Sequence, residues 1–159
     1  MPSVQCHAHY STFARIHAAG PGELAELRSF AATLGRSELD FDWNAALGDS
    51  ACDVFIAFEG GVLAGAIAVW CDPARITAEL EWIGVAPSAR RRGIGRLLIE
   101  YAADAARERR AAVMVAVDTE PSVGALLVAC GARWHGTRYA LPLAEAVSEP
   151  HLRLVKGQQ

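Results

Sequence analysis

The sequence lacks any C-x-x-C and any cysteine cluster: its four cysteines, Cys6, Cys52, Cys71 and Cys130, are scattered through 159 residues. That spacing fits neither a zinc site nor a redox motif, so reduced thiols in or near a core are expected. Cys6, His7 and His9 lie close together, but in a terminal segment without pattern, and no metal is expected there. No apolar run reaches the roughly 18 residues a membrane helix needs. The opening MPSVQCHAHYS has no apolar core of signal-peptide type, which points to the cytoplasm. An excess of one charge is missing too: 15 Lys and Arg against 18 Asp and Glu leave a net of −3, so no broad nucleic-acid surface is expected. There is no internal repeat, linker or low-complexity tract. Two nucleotide signatures are also absent. No G-x-x-x-x-G-K-[ST] occurs, which sets aside a P-loop. No G-x-G-x-x-G occurs either, because Gly93 and Gly95 are followed by Leu98 where a third glycine would stand.

What remains is a composition suited to one core. Hydrophobic residues make up 52% of the chain and charged residues 21%, the balance of a compact fold. The length suits one domain; residues 1–12 are expected to be an N-terminal extension and 13–159 the domain. Residues 13–18 read as a first strand. Pro21-Gly22-Glu23 opens a helix in which Leu24, Leu27, Phe30, Ala31 and Leu34 recur at helical spacing, closed by Gly35. A second short helix is expected over 37–47. Strands follow over 53–58 and 62–70, joined by the hairpin signal Glu59-Gly60-Gly61, and a fourth spans 76–85. A helix over 95–110 is expected to bury Leu97, Leu98, Tyr101, Ala102 and Ala105. Residues 112–117 read as a buried strand, 121–130 as a helix, 134–141 as a sixth strand and 151–155 as a last one. Strand, helix, strand across 76–117 implies a parallel pair with a right-handed crossover. The fold class is therefore α/β in the mixed α+β sense: antiparallel hairpins, then a βαβ crossover, with helices on both faces of one sheet.

The stretch from Ile83 to Glu100, IGVAPSARRRGIGRLLIE, organises the rest. A strand end, a glycine turn and a helix start make an anion site, because the first N–H groups of a helix have no partner within it and carry partial positive charge. Gly93 and Gly95 leave those N–H groups uncovered, and the neighbouring arginines add charge. A glycine turn alone could equally be a tight connection. Arg90-x-x-Gly93-x-Gly95, with Val85-x-Pro87 just upstream, resembles the acetyl-CoA-binding motif of the GNAT superfamily of N-acetyltransferases. The resemblance covers about residues 13–156.

That resemblance implies a central mixed, mostly antiparallel twisted sheet with a splayed parallel pair between the fourth and fifth strands. It implies acetyl-CoA as co-substrate and transfer of the acetyl group to a primary amine of a small molecule or protein by direct attack on the thioester. The backbone amides of Arg91, Arg92, Gly93, Ile94, Gly95 and Arg96 would hold the pyrophosphate. Ile83, Gly84 and Val85 would pair with the pantetheine arm, an N–H near Ile83 facing the acetyl oxygen. The strand would carry a bulge, for which Gly84 is suited. An amine of pKa about 10.4 costs roughly 4–5 kcal/mol to neutralise at pH 7, so a general base is worth having. Some members carry a glutamate where Glu79 stands; Glu81 lies two residues on, on the same strand face and nearer the expected reacting centre. The choice between them stays open, as does a solvated surface for both.

The chain departs from the family at the other partner. The positions of the usual asparagine, tyrosine and phenylalanine hold Glu120, Leu127 and Ala132, so the usual acid for the leaving sulfur is absent; Cys130 and Tyr139 are candidate substitutes. Asp40, Asp42, Trp43, Trp134 and Tyr139 are candidates by position for contacting the acceptor. The expected partners are acetyl-CoA and an amine, with a homodimer also open and neither nucleic acid nor membrane among them. Two other readings remain: a non-catalytic CoA-binding sensor or interaction module of the same fold, and an unrelated α/β domain in which RRRGIGR is only a basic turn.

Overall fold

The computed structural model describes residues 14–37, 40–117 and 120–143. The expected strand at 151–155 and the Cys6–His9 group lie outside the described residues. Seven strands form one sheet in the order β1-β2-β3-β4-β5-β7-β6. They are β1 (Ala14–Ala18), β2 (Cys52–Glu59), β3 (Val62–Cys71), β4 (Thr77–Val85), β5 (Val113–Val117), β6 (Arg133–Trp134) and β7 (Arg138–Pro142). All neighbours pair antiparallel except β4 and β5, which are parallel. β3 reads as an unbroken apolar run because it is central and covered on both faces.

The helices are α1 (Leu24–Thr33), α2 (Trp43–Gly48), α3 (Ile94–Glu108) and α4 (Pro121–Ala129). Leu27 and Phe30 of α1 and Trp43 of α2 pack with Ile56, Ala66 and Trp82 on one face of the sheet. Ile94, Leu98 and Ile99 of α3 pack with Ile67, Val69 and Met114 on the other. Helices thus lie on both faces, as the sequence predicts.

Four local expectations change. The helix expected from residue 37 begins at Trp43, because Asp42 caps it: its carboxylate accepts the Ala45 N–H at 3.0 Å. The buried stripe of α3 is Ile94, Leu98, Ile99, Ala102, Ala103 and Ala106. Leu97 and Ala105 are only half-buried, and Tyr101 is 44% exposed with its ring edge on Phe55. Helix α3 starts at Ile94, whose side chain goes into the core, and that choice rotates the stripe. The single strand expected over 134–141 is a hairpin, β6 turning into β7 at Gly136 (φ 72°), with the His135 N–H donating to Arg138 O at 2.8 Å.

The fourth change concerns the bulge. Ala68 pairs with Trp82 and Val69 with Leu80, so the extra residue in β4 is Glu81, not Gly84. Gly84 is glycine for want of room: a Cβ there would lie 2.6 Å from both Leu34 Cδ1 and Trp82 Cη2. Gly84→Ala should therefore cost about 1–3 kcal/mol by overpacking, read as a melting temperature lower by several degrees. An unchanged Tm would mean that Leu34 and Trp82 give way freely.

Candidate active site

The bulge at Glu81 shapes the site. Before it, Ala78 and Leu80 pack on the α3 face; after it, Ile83 and Val85 do, so the alternation has slipped by one. The peptide groups slip with the side chains. On the β5 side, Ile76 O accepts from the Ala112 N–H at 2.8 Å, an even position. Past the bulge it is the odd carbonyls that face this side: Ile83 O accepts from Arg36 Nη1 at 2.6 Å and Val85 O from Arg90 Nε at 3.2 Å. The next even position, Ala86, donates to Ala64 on the β3 side at 2.8 Å. Strand alternation puts the N–H groups of Ile83 and Val85 on the open side with their carbonyls, and commits Gly84 to β3. Of the three residues expected to pair with an extended ligand arm, Ile83 and Val85 turn their backbone groups to the open side.

The edge they face is open. Parallel pairing with β5 runs only from Thr77 opposite Val113 to Glu79 opposite Val115, while β4 continues to Val85. Between the parted strands and the start of α3 lies a cavity of about 380 Å³. Eight of the nine residues expected at a cofactor line it: Ile83, Gly84, Val85, Arg91, Gly93, Ile94, Gly95 and Arg96. Arg92 does not, because its guanidinium bonds Glu59 and the Ser88 carbonyl. The loop is bent to expose its backbone: Arg91 (φ 65°) and Gly93 (φ 79°) both adopt the left-handed region, which turns successive N–H groups into a concave anion-binding nest. Gly93 caps α3 without a side-chain bond. The free helix-start donors, the arginines and the apolar wall of Val123 and Leu126 suit a diphosphate attached to a long, partly apolar arm.

A second cavity of about 180 Å³ adjoins the first, and Arg36, Ile83, Glu120 and Val123 line both. Glu81 lines this second cavity, together with Leu80, Trp82 and Val117; Glu79 lines neither. Burial pushes the Glu81 carboxyl above the ordinary glutamate value of 4.5, and the charge of Glu79 and a hydrogen bond to it add to the rise. Glu81 is exposed, yet its carboxyl holds a proton more tightly than usual, in part because of the like charge of Glu79.

Two residues join the site that sequence reasoning did not assign to it. Arg36 arrives because α1 ends in a Schellman turn. The N–H of Gly35 (φ 71°) reaches Ala32 O at 3.0 Å and that of Arg36 reaches Ala31 O at 3.1 Å. The turn throws Arg36 across β4, with its guanidinium 4.5 Å over the Trp82 ring. Gly35 signalled the helix end, but nothing in the sequence says which strand Arg36 meets. Glu120 arrives as the N-cap of α4, and its place in the motif comparison was the one available signal.

The other candidates are elsewhere. Asp40 accepts the Ser37 N–H at 2.9 Å and Asp42 caps α2. Trp43 is core at 2% exposure, its ring edge on Phe41 and Trp82. Trp134 lies tilted against Tyr139, whose ring lies against Gly124 of α4. None of these five lines the cavity beside Glu81. Leu127 is buried at 2% exposure, and Cys130 faces a separate cleft along α3. Burial raises the Cys130 and Cys71 thiols and pushes Cys52 up to about 11, as suits inert reduced cysteines. Among the described residues no cluster of His, Cys, Asp and Glu could hold a metal, and no helix is long and apolar enough to cross a membrane.

Similarity to known proteins agrees with this geometry. The profile of the Acetyltransferase (GNAT) family matches residues 23–131. No curated protein matches the sequence. Among solved structures, a GNAT-family protein from Desulfovibrio desulfuricans superposes with a TM-score of 0.71 at 18% identity, over 82% of this chain and 99% of that one. The Salmonella typhimurium protein yncA, solved with its cofactor acetyl-CoA, gives 0.64 at 21% identity, over 85% and 96%. A tandem GNAT protein from the clavulanic acid biosynthesis pathway gives 0.67 at 21% identity; 77% of this chain is covered, and it spans 45% of the tandem protein's length. A splayed parallel pair in a mostly antiparallel sheet, a glycine nest at the mouth of α3 and a matching profile over most of the chain lead to one conclusion: this protein belongs to the GNAT acetyltransferase family.

Proposed function

We propose that the protein transfers the acetyl group of acetyl-CoA to a primary amine by direct attack on the thioester. The observation that carries this reading is the adjacency of two cavities that share a wall at Arg36, Ile83, Glu120 and Val123. A diphosphate-sized nest opens on one side of Ile83, and Glu81 with a raised pKa stands on the other. Acetyl-CoA, when bound, supplies an acetyl thioester; the amine lone pair forms the C–N bond, the C–S bond breaks, and CoA leaves as a thiolate. The main-chain N–H groups from Arg91 to Arg96 hold the diphosphate, and the N–H of Ile83 polarises the acetyl oxygen. Glu81 takes the proton that an ammonium must lose before it can attack, while Glu79 raises its basicity. Among the described residues none of the candidates takes the place of the usual tyrosine: Leu127 is core, and Cys130 and Tyr139 line neither cavity. A thiol of pKa about 8.5 departs as thiolate without one.

The proposed domain is 13–159, with acetyl-CoA and an amine as partners. Acetyl-CoA at a hundredfold excess over its Kd should add about 2.7 kcal/mol of stability, a rise of roughly 5–11 °C in Tm for a chain of this size. No shift at millimolar acetyl-CoA overturns the reading. The buried Leu127 favours one second reading, a CoA-binding sensor without turnover. It predicts the same thermal shift but no CoA thiol release across a broad amine panel.

A further inference from the structure

We propose that the acceptor is a small zwitterionic amino acid, its carboxylate paired with Arg36 and its amine set beside Glu81. This rests on the acetyl-transfer reading above and names the substrate class of that same site. Arg36 is held in place by the turn that ends α1, by its bond to Ile83 O at 2.6 Å and by the Trp82 face 4.5 Å away. Its charge, however, is not met. Arg75, Arg92, Arg96, Arg107 and Arg109 each pair with a carboxylate, whereas Arg36, like Arg90 and Arg91 on the wall of the larger cavity, forms no ion pair among the described residues, and of these three only Arg36 also lines the second cavity. The carbonyl it bonds is neutral, and a guanidinium has five N–H donors. A fixed, half-buried guanidinium with donors to spare, on the wall shared by both cavities, awaits an anion that the ligand brings.

The diphosphate is assigned to the N–H groups at the start of α3, and Arg36 also borders the second cavity, so Arg36 is left for an anion of the acceptor. The second cavity also presents Glu81 and Glu120, two carboxylates suited to an ammonium. One cation and two acids around one space describe the complement of a molecule carrying both charges. The dimensions agree. At about 180 Å³ the space suits a short molecule. A plain diamine or a lysine side chain would leave Arg36 facing another cation.

The test uses the full chain with saturating acetyl-CoA and reads CoA thiol release. The panel is the twenty free amino acids, their decarboxylated amines and their carboxamides, with spermidine and a lysine peptide as the cationic alternatives. At least one amino acid should exceed its decarboxylated and amidated counterparts by about 10²-fold in kcat/KM. Arg36→Met, which keeps the stack on Trp82, should remove that ratio mainly through KM, and Arg36→Lys should restore part of it. The melting transition of each variant reports its folding. Equal or better turnover of the amines or amides, release only with spermidine or the peptide, or a ratio that survives Arg36→Met, overturns the proposal. So does an absence of release from the whole panel in a protein that acetyl-CoA still stabilises. Absence of that stabilisation overturns the acetyl-transfer reading itself.

Discussion

Replacing Glu81 by glutamine should lower kcat by about 10²–10⁴-fold near neutral pH, the usual loss when a general base is removed, and should not lower the melting temperature. The rate follows from the amine. Its neutral form lies about 4–5 kcal/mol uphill at pH 7, and glutamine cannot take the proton. Stability moves the other way because of the direction of the pKa shift. The Glu81 carboxyl is raised in the folded protein, first by burial, then by the charge of Glu79 and the hydrogen bond to it. The folded chain therefore binds this proton more tightly than the unfolded chain. Stability from this group is complete below the unfolded value and is lost as pH climbs through the raised one. Above the raised value that contribution is gone, so there Glu81→Gln should melt at the same temperature or higher. A destabilised, inactive variant would point to a structural carboxylate instead. The pH profile is an independent check: the acidic limb of kcat/KM should lie above the ordinary glutamate value of 4.5. Glu79→Gln should move that limb toward lower pH, since the like charge goes and an amide can donate to Glu81. The limb belongs to the coupled pair, and a limb that stays put removes Glu79 from the site.

Gly93→Val should abolish the thermal shift produced by acetyl-CoA. Gly93 has φ 79° at the N-cap of α3, a region costing an L-residue roughly 1–2 kcal/mol and a β-branched one more. The free protein should melt several degrees lower for that reason alone. The second effect is separate: a β-branched residue that shifts this left-handed turn would disturb the N–H groups at the start of α3 proposed to hold the diphosphate. The roughly 5–11 °C gain expected of the parent chain should then disappear. Arg91→Gly separates strain from binding, because Arg91 also occupies the left-handed region (φ 65°). Glycine there relieves strain, so Tm should rise while the acetyl-CoA shift persists. A full shift in Gly93→Val would mean that the diphosphate is held elsewhere.

The parts of the site legible in the sequence are those built from neighbours in the chain. Gly93, Gly95 and the arginines announce the nest because a turn, a helix start and its donors are all local. The strand order around Ile76–Val117 followed from one crossover, and the hairpin at Gly60-Gly61 from turn chemistry. Glu79 and Glu81 were legible as a pair. That Glu81 lines the second cavity and Glu79 lines neither was not.

Residue order along this chain thus determined its fold class, its family and its anion cradle, since each is written in short-range periodicity and in backbone conformations that glycine permits. Tertiary structure alone decided the rest. The bulge at Glu81 reversed which residues of β4 face the open edge, and a bulge is set by the register against β3, not by the strand's own pattern. Arg36 reached Ile83 across 47 residues of chain, and Glu120 came to the same space from the start of α4. Charges converge on a reacting centre through packing between distant elements, and a linear pattern carries no distance of that kind.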